Sequence, residues 1–159
     1  MTSKIYSRRA LSRWANRMRR LGKRIVFTNG CFDVLHAGHV HYLERAKRLG
    51  DFLIVGLNSD RSTRKLKGSG RPINSEKDRA RVLSALSCVD RVTVFDEDTP
   101  LELICTVRPH ILVKGADWPL HSIAGQREVQ SWGGEVRRIS LLKGRSTSGI
   151  LGKAKTRTC

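Results

Sequence analysis

The hydrophobic positions of this chain change their spacing near residue 22. Upstream, Leu11, Trp14, Met18 and Leu21 follow one another at intervals of three and four residues, with arginines between them. This spacing predicts an amphipathic α-helix, because residues three and four apart share one helix face. We expect its apolar stripe to pack on the protein's own core. A membrane surface or a partner protein is the alternative.

Downstream, short apolar runs rich in β-branched residues alternate with segments of helical periodicity. The runs predict strands at 24–28, 52–57, 91–95, 111–113 and 135–139. The helical segments are 38–49, 75–88, 100–107 and 122–132, with one more after Ser146. Strands that alternate with helices form parallel sheets covered on both faces. The pattern predicts a single-domain α/β fold: a Rossmann-like, doubly wound parallel sheet of about five strands with an N-terminal amphipathic helix.

The net charge of +17 lies at the two ends of the 159-residue chain. Residues 1–32 carry nine basic side chains and no acidic one, residues 136–159 carry seven and none, and the stretch between is nearly balanced. Charged ends indicate a solvated surface or an acidic partner, so we expect no specific binding of nucleic acid. We divide the chain into a basic amphipathic helix (1–22), a main domain (23–152) and a basic tail (153–159).

Compartment signals point to the cytoplasm. No apolar run approaches the length of about 18–20 residues needed to cross a bilayer, and the basic N-terminus lacks the apolar region of a signal peptide. The four cysteines are scattered and none forms a C-x-x-C pair. We therefore expect the cysteines to be free thiols in a reducing compartment.

Unusual polar clusters follow the ends of the predicted strands. They are the segments 28–39 after the first strand, 58–60 with a loop carrying Lys65 and Lys67 after the second, 114–118 after the fourth and 144–148 after the fifth. The carboxyl ends of parallel strands meet at one edge of a sheet, where ligands bind near the topological switch point. We therefore expect one site that gathers all four clusters.

The segment HAGH at 36–39 opens a helix directly after a strand. Its two imidazoles, at i and i+3, share one face of the first turn, where unpaired backbone N–H groups and the helix dipole attract anions. Gly38 allows a ligand to come close to the backbone. A metal site with Cys31 or Asp33, or a structural role for the histidines, is the alternative. We favour binding of a polyphosphate.

Other phosphate-binding motifs do not fit. The glycine-rich stretch 68–72 follows no strand and lacks the third glycine of a dinucleotide fingerprint. The chain has no G-x-x-x-x-G-K-[ST] loop. A P-loop kinase and a dehydrogenase are therefore disfavoured.

At these residues the sequence resembles the HxGH nucleotidyltransferase superfamily. The segments KRIVFTNGCFD, LHAGH, LKGSGRP, DEDTP, LVKGADW and LLKGRSTSGI occur in that family's order, and the resemblance extends over about residues 4–152. LKGxGRP, DEDTP and LVKG favour the branch that makes ADP-heptose from D-glycero-β-D-manno-heptose 1-phosphate, an activity often carried by the C-terminal half of a bifunctional kinase–adenylyltransferase.

Two positions depart from the pattern of that branch. Ala116 stands where glycine is usual, which affects the fit near Asp117, and Ser148 replaces a threonine while keeping the hydroxyl. The RTEG segment of the cytidylyltransferases is also missing, since residues 141–144 read LLKG. This difference disfavours glycerol-3-phosphate cytidylyltransferase.

The resemblance implies transfer of AMP from ATP to a sugar 1-phosphate with release of pyrophosphate. ATP is then a co-substrate, Mg²⁺ arrives with it, no dedicated metal ligand is needed, and a homodimer is expected. Catalysis is assigned to His36, His39 and Lys67, and substrate binding to Asp33, Asp60 and Arg71. The nucleotide contacts implied are Thr28, Asn29, Gly30, Phe32, Gly38, Lys65, Arg79, Lys114, Gly115, Asp117, Ser146, Thr147 and Ser148.

Two alternatives remain at this point. One is cytidylyl or adenylyl transfer to another small phosphate, such as glycerol 3-phosphate. The other is a nucleic-acid-associated or regulatory protein in which the fold only senses nucleotide, a possibility raised by the basic ends.

Overall fold

A computed structural model describes residues 4–142, 144 and 147–156 of the chain. The strands are β1 (Ile25–Gly30), β2 (Phe52–Asn58), β3 (Arg91–Phe95), β4 (Ile111–Gly115) and β5 (Glu135–Ile139). The helices are α1 (Arg8–Arg20), α2 (Ala37–Lys47), α3 (Asp60–Lys67), α4 (Glu76–Ala85), α5 (Leu101–Val107), α6 (Gln126–Ser131) and α7 (Thr147–Thr156), with a 3₁₀ turn at Leu120–Ser122.

The five strands form one parallel sheet in the order β3-β2-β1-β4-β5. The chain leaves β1, in the centre, toward β2 and later returns to its other side through β4, which places the switch point between β1 and β4. The predicted α/β fold with five parallel strands is confirmed.

Two apolar layers cover the sheet, one on each face. One packs α2 and α4 on side chains that include Val26, Leu53 and Val55. The other packs α1, α5 and α6 on Ile25, Phe27 and their neighbours. Adjacent residues of a strand point to opposite faces, so strands buried on both faces read as continuous apolar runs. This is why the strands were recognisable in the sequence.

Helix α1 is part of the second layer. The Ser7 side chain caps it by accepting from the backbone N–H of Ala10. Leu11 and Ala15 are fully buried, and Trp14 and Met18 pack beside them. The interpretation of the apolar stripe as a core-packing face is confirmed for Leu11, Trp14 and Met18, whereas Leu21, just after the helix, is exposed. No helix in the described part of the chain combines the length and the apolar character that a membrane span needs.

The segment before α1 protects one edge of the sheet. Tyr6 N–H donates to the carbonyl of Val92 (2.8 Å), and Val92 N–H donates to the carbonyl of Lys4 (2.9 Å). The Lys4 ammonium donates to the carbonyls of Leu86 and Val89, at the end of α4. Strand β3 therefore does not expose an unpaired row of backbone groups at this point.

The prediction of a loop after β2 was wrong, because residues 60–67 form helix α3. Ser59 caps this helix through the N–H of Ser62 (3.0 Å). The residues that α3 buries are Ser62 and Thr63. A helix with a small polar inner face shows no apolar period, which is why sequence periodicity missed it.

The proposed division of the chain stays a prediction. Helix α7 runs to Thr156, so residues 153–156 are helical, and residues 157–159 lie outside the described part.

We predict that Leu11→Ala lowers the free energy of unfolding by about 2–4 kcal/mol, because a fully buried leucine leaves a cavity when truncated. Urea denaturation measures the effect. Leu21→Ala is the matched control, since Leu21 ends the same helix with 60% of its surface exposed, and its effect should stay below about 0.5 kcal/mol. Equal effects of the two substitutions would contradict the docking of α1.

Candidate active site

A cavity of about 650 Å³ opens at the carboxyl ends of the central strands. Its volume lies within the range of about 300–1,000 Å³ common for small-molecule sites. The residues predicted from the sequence that line it are Asn29, Gly30, Phe32, Asp33, His36, Gly38, His39, Lys67, Arg71, Lys114 and Thr147. The structure thus brings together the clusters that follow β1, β2 and β4 and the start of α7.

His36 is the N-cap of helix α2. Its Nδ1 accepts a hydrogen bond from the backbone N–H of Gly38 (3.1 Å). A neutral imidazole that accepts at Nδ1 carries its proton on Nε2, so the cap fixes the tautomer. His36 is therefore a hydrogen-bond donor through Nε2 at the mouth of the helix.

His39 stacks on His36, with the ring centroids 3.9 Å apart and 22° between the planes. Burial and the neighbouring His36 lower the pKa of His39 to about 4, although the backbone of Val34 opposes the shift. His39 is therefore neutral at physiological pH, and its Nδ1 is buried without a hydrogen-bond partner in the described part of the chain. Without a ligand, the site holds a closely stacked pair in which His39 is neutral.

The end of β1 shapes the floor of the cavity. The ring of Phe32 lies edge-on to His39 at 5.1 Å, and a side chain at Gly30 would press on that ring. Thr28, predicted to contact nucleotide, is fully buried and bonded to the Tyr42 hydroxyl (2.7 Å). Asn29 lines the cavity, and its Oδ1 is buried with no partner among the described residues.

The end of β4 forms the opposite wall. Lys114 is only 9% exposed, and its ammonium lies 5.3 Å from the centroid of the Trp118 ring. A side chain at position 115 would collide with the Asp117 carboxylate, so the glycine lets this carboxylate approach the strand. Asp117 itself is exposed and is not among the residues that line the cavity.

Asp33 is turned toward the protein. It accepts from the N–H groups of Ile73 (2.7 Å) and Asn74 (3.1 Å) and from Arg71 Nε. Burial raises the pKa of Asp33, but these bonds and the Arg71 charge outweigh burial and hold that pKa below its usual value. Asp33 thus anchors the 71–74 loop and so places Arg71 on the cavity wall. Its predicted sugar contact has no support in this geometry.

The two lysines of α3 differ in position. Lys67 lines the cavity. Lys65 points to the acidic turn before α5, where its ammonium lies 2.6 Å from the Asp98 carboxylate. Arg61 pairs with Asp96 on the same turn. Both pairs are largely exposed, so we expect each to contribute little to stability.

Arg79, predicted to contact the nucleotide, is instead buried beneath the site. Its guanidinium donates to the carbonyls of Cys31, Asn58 (2.9 Å) and Asn74 (3.0 Å). It also pairs with Asp60 at 2.7 Å, so the predicted substrate ligand Asp60 is bound to the protein. Arg79 thereby ties the ends of β1 and β2 to the 71–74 loop, and its role is to position them.

Part of the last predicted cluster can be placed. Thr147 starts α7 and lines the cavity, and its hydroxyl lies 3.4 Å from the carbonyl of Val34. Ser146 lies outside the described residues, and only the backbone of Ser148, within α7, is described.

Sequence reasoning gave no role to several residues of the cavity wall. They are Asn58, Leu66, Asp98, Thr99, Pro100, Trp118, Ser122, Ile123, Ala124 and Leu141. Trp118 belongs to the cluster after the fourth predicted strand, but a single aromatic residue has no periodic spacing from which a binding role could be predicted. The 122–124 segment was read as helix, whereas it joins a 3₁₀ turn to α6.

Among the described residues, no group of three His, Cys, Asp or Glu side chains is placed to hold a metal ion. The carboxylates that line the cavity there, Asp33 and Asp98, are bonded to Arg71 and Lys65.

The sheet order β3-β2-β1-β4-β5, the stacked imidazoles at the start of α2 and the lysines on the same cavity are the features expected of a nucleotidyltransferase. Comparison with known families agrees, since a model described as cytidylyltransferase-like matches residues 27–147. The chain belongs to this cytidylyltransferase-like family.

Relatives at high identity are much longer proteins. The bifunctional protein HldE of Syntrophotalea carbinolica is 58% identical over 149 residues, which cover 94% of this chain and 30% of the relative. The bifunctional protein HldE of Pelobacter propionicus is 52% identical over the same shares. The chain thus spans about 30% of the length of these relatives.

A solved structure shares the fold. The lipopolysaccharide core biosynthesis protein from Thermoplasma volcanium GSS1 superposes with a TM-score of 0.64 at 31% identity. The match covers 78% of this chain and 100% of that one.

We predict that Arg79→Met destabilises the fold by about 3–5 kcal/mol, because it leaves buried carbonyls without donors and Asp60 without its partner. Chemical denaturation measures the change. Arg81→Met, on the exposed face of the same helix, should change stability by less than about 0.5 kcal/mol. A comparably small change for Arg79→Met would contradict the positioning role.

The low pKa of His39, about 4, predicts an acid-sensitive fold. The unfolded imidazole binds its proton near pH 6.5, so between pH 6.5 and 4 the unfolded chain holds more protons and stability falls as the pH falls. From pH 6.5 to 4.5 the wild type should lose about 1–2 kcal/mol more than His39→Asn, allowing for partial solvent access. Urea denaturation across this range tests it, and parallel curves for the two proteins would refute it.

Proposed function

We propose that this protein transfers AMP from ATP to a heptose 1-phosphate, releasing pyrophosphate and forming ADP-heptose. The observation that carries the proposal is the stacked His36–His39 pair at the start of α2, in a cavity that Lys67 and Lys114 also line. The LKGxGRP, DEDTP and LVKG segments favour the heptose branch of the family. The relatives are named bifunctional, and this chain corresponds to less than a third of their length, which fits one of two activities.

The reaction needs no general base. A phosphate monoester is already ionised at neutral pH, so its oxygen can attack the α-phosphorus in line with the departing pyrophosphate. Catalysis then depends on positioning and on stabilising charge on the phosphoryl and leaving oxygens. Neutral imidazoles and the N–H groups of a helix N-terminus suit that task, since they are donors already oriented toward an anion.

In this proposal His36 and His39 donate to the triphosphate, and Lys67 and Arg71 neutralise charge from the side of β2. Thr147 and the adjacent serines, Ser146 and Ser148, provide hydroxyls at the start of α7. Lys65 reaches the phosphates by leaving Asp98. Mg²⁺ bound to ATP would add to the charge neutralisation that Lys67 and Arg71 provide at the phosphates.

The compartment, the oligomeric state and the lack of nucleic-acid binding are also part of the proposal. We expect a cytoplasmic homodimer that does not bind nucleic acid. The match to a cytidylyltransferase-like family favours one alternative reaction, cytidylyl transfer to a small phosphate such as glycerol 3-phosphate.

A coupled pyrophosphate assay tests the reaction. We expect turnover with ATP and D-glycero-β-D-manno-heptose 1-phosphate to exceed that of every other pair formed from ATP, CTP or GTP with heptose 1-phosphate, glucose 1-phosphate or glycerol 3-phosphate. Preference for CTP with glycerol 3-phosphate would replace the proposal by its alternative. No turnover with any pair, together with salt-dependent binding of nucleic acid, would exclude both the proposed reaction and its alternative.

His36→Ala and His39→Ala should each lower kcat by about 100-fold or more, because each removes a donor to the transition state. His41→Ala is the control, as it removes an imidazole from the same helix that does not line the cavity. Circular dichroism checks that all three variants fold. A folded His36→Ala/His39→Ala double variant with full activity would contradict the mechanism.

A further inference from the structure

Lys114 is a largely buried residue whose ammonium, on the cavity wall, forms no salt bridge or hydrogen bond with the described residues. Lys114 is 9% exposed, and its ammonium lies over the ring of Trp118. The other buried charged residues are satisfied, since Asp33 pairs with Arg71 and Arg79 pairs with Asp60. An unpaired buried charge is unfavourable, and a fold keeps one where a ligand completes it.

Two more unsatisfied groups line the same cavity. The recorded pairing of β1 with β4 ends at Phe27 and Leu112, and Asn29 and Lys114 each lie two residues beyond it, on the cavity at the switch point. Asn29 Oδ1 and His39 Nδ1 are buried without partners, and elsewhere in the described chain this is true only of Arg91 Nε. Unsatisfied buried polar atoms are rare in proteins, so their concentration here marks the place of a ligand.

We propose that Lys114 is the phosphate receptor of the β4 wall: its ammonium pairs with a phosphate oxygen of a substrate, and Asn29 Oδ1 accepts from a hydroxyl close to that phosphate. The ligand class is a phosphate ester with a neighbouring hydroxyl, which describes both the nucleotide and the sugar phosphate. This inference rests on the proposed function. It makes more specific the expectation from the sequence that Lys114 contacts the nucleotide.

Burial gives this receptor a measurable signature. Burial lowers the pKa of Lys114 to about 8, while Cys31 and Asp117 oppose the shift. The other titratable or charged groups near this wall are Tyr42, His39 and Arg138, whose guanidinium donates to the Trp118 carbonyl. A bound phosphate restores the charge on the ammonium, so binding above pH 8 must be accompanied by uptake of a proton.

Calorimetry at pH 9, in two buffers of different ionisation enthalpy, tests this linkage. The probes are α,β-methylene-ATP and D-glycero-β-D-manno-heptose 1-phosphate, each titrated separately. Both phosphates are fully ionised at that pH, and His39 titrates far below it. The wild type should take up roughly one proton with the probe that Lys114 contacts.

Lys114→Met should lose that uptake and bind the same probe at least about 10-fold more weakly, because a charge-assisted pair is removed. Lys114→Arg should retain affinity while losing the proton uptake at pH 9, because a guanidinium stays charged. Lys77→Met, which removes an exposed lysine from α4, is the matched control and should change neither quantity. The probe that responds identifies whether the nucleotide or the sugar phosphate is the partner.

Stability of the free protein separates binding from a structural role. Without ligand, Lys114→Met should melt about 2–4 °C higher than the wild type, because it removes a buried unpaired charge without changing the side-chain length much. A lower melting temperature would contradict the premise that the ammonium is unpaired.

The inference is overturned if Lys114→Met binds both probes within twofold of the wild type, or if the wild type binds them without proton uptake. These outcomes are distinct from failure of the proposed function. A protein that turns over no sugar phosphate but shows the Lys114-dependent uptake with α,β-methylene-ATP would keep this inference and lose the heptose assignment.

Discussion

The hydrogen bond from the backbone N–H of Gly38 to His36 Nδ1 governs the site. It starts helix α2 at that residue, and it also assigns the imidazole proton to Nε2. Because the helix begins there, His39 falls one turn later and stacks on His36, where burial keeps it neutral. The capping interaction therefore sets the position of both imidazoles and the tautomer of His36, while burial sets the charge of His39.

Around this pair, polar groups serve two different purposes. Asp33 and Arg79 are buried and bonded on several sides, and they hold the 71–74 loop and the strand ends in place. Asn29 and Lys114, on the cavity wall, are buried without such bonds to the described residues. The supporting groups are satisfied within the protein, whereas the groups that we propose to bind substrate lack such partners among the described residues. Desolvated and pre-oriented groups of this kind interact with an anion more strongly than they would in water.

The sequence was sufficient for the fold class and the location of the site, because buried parallel strands read as apolar runs and their ends share one edge. It was insufficient for residues whose role depends on contacts distant in the chain. Arg79 and Asp60 look like surface charges near a loop, and only the folded chain pairs them. Helix α3 escaped detection because its inner face is Ser62 and Thr63. Trp118 lies in a polar cluster that the sequence analysis had identified, but no sequence pattern indicated that its ring would contact Lys114.

The switch point between β1 and β4 has a consequence for how the protein comes to be active. The cavity takes its walls from segments early and late in the chain, and these become neighbours only when the second crossover has been completed. A nucleotide bridging the two walls is a non-covalent cross-link between the halves of the molecule. Such a ligand can bind only after the chain has folded. Binding should therefore stabilise the folded protein against unfolding and proteolysis.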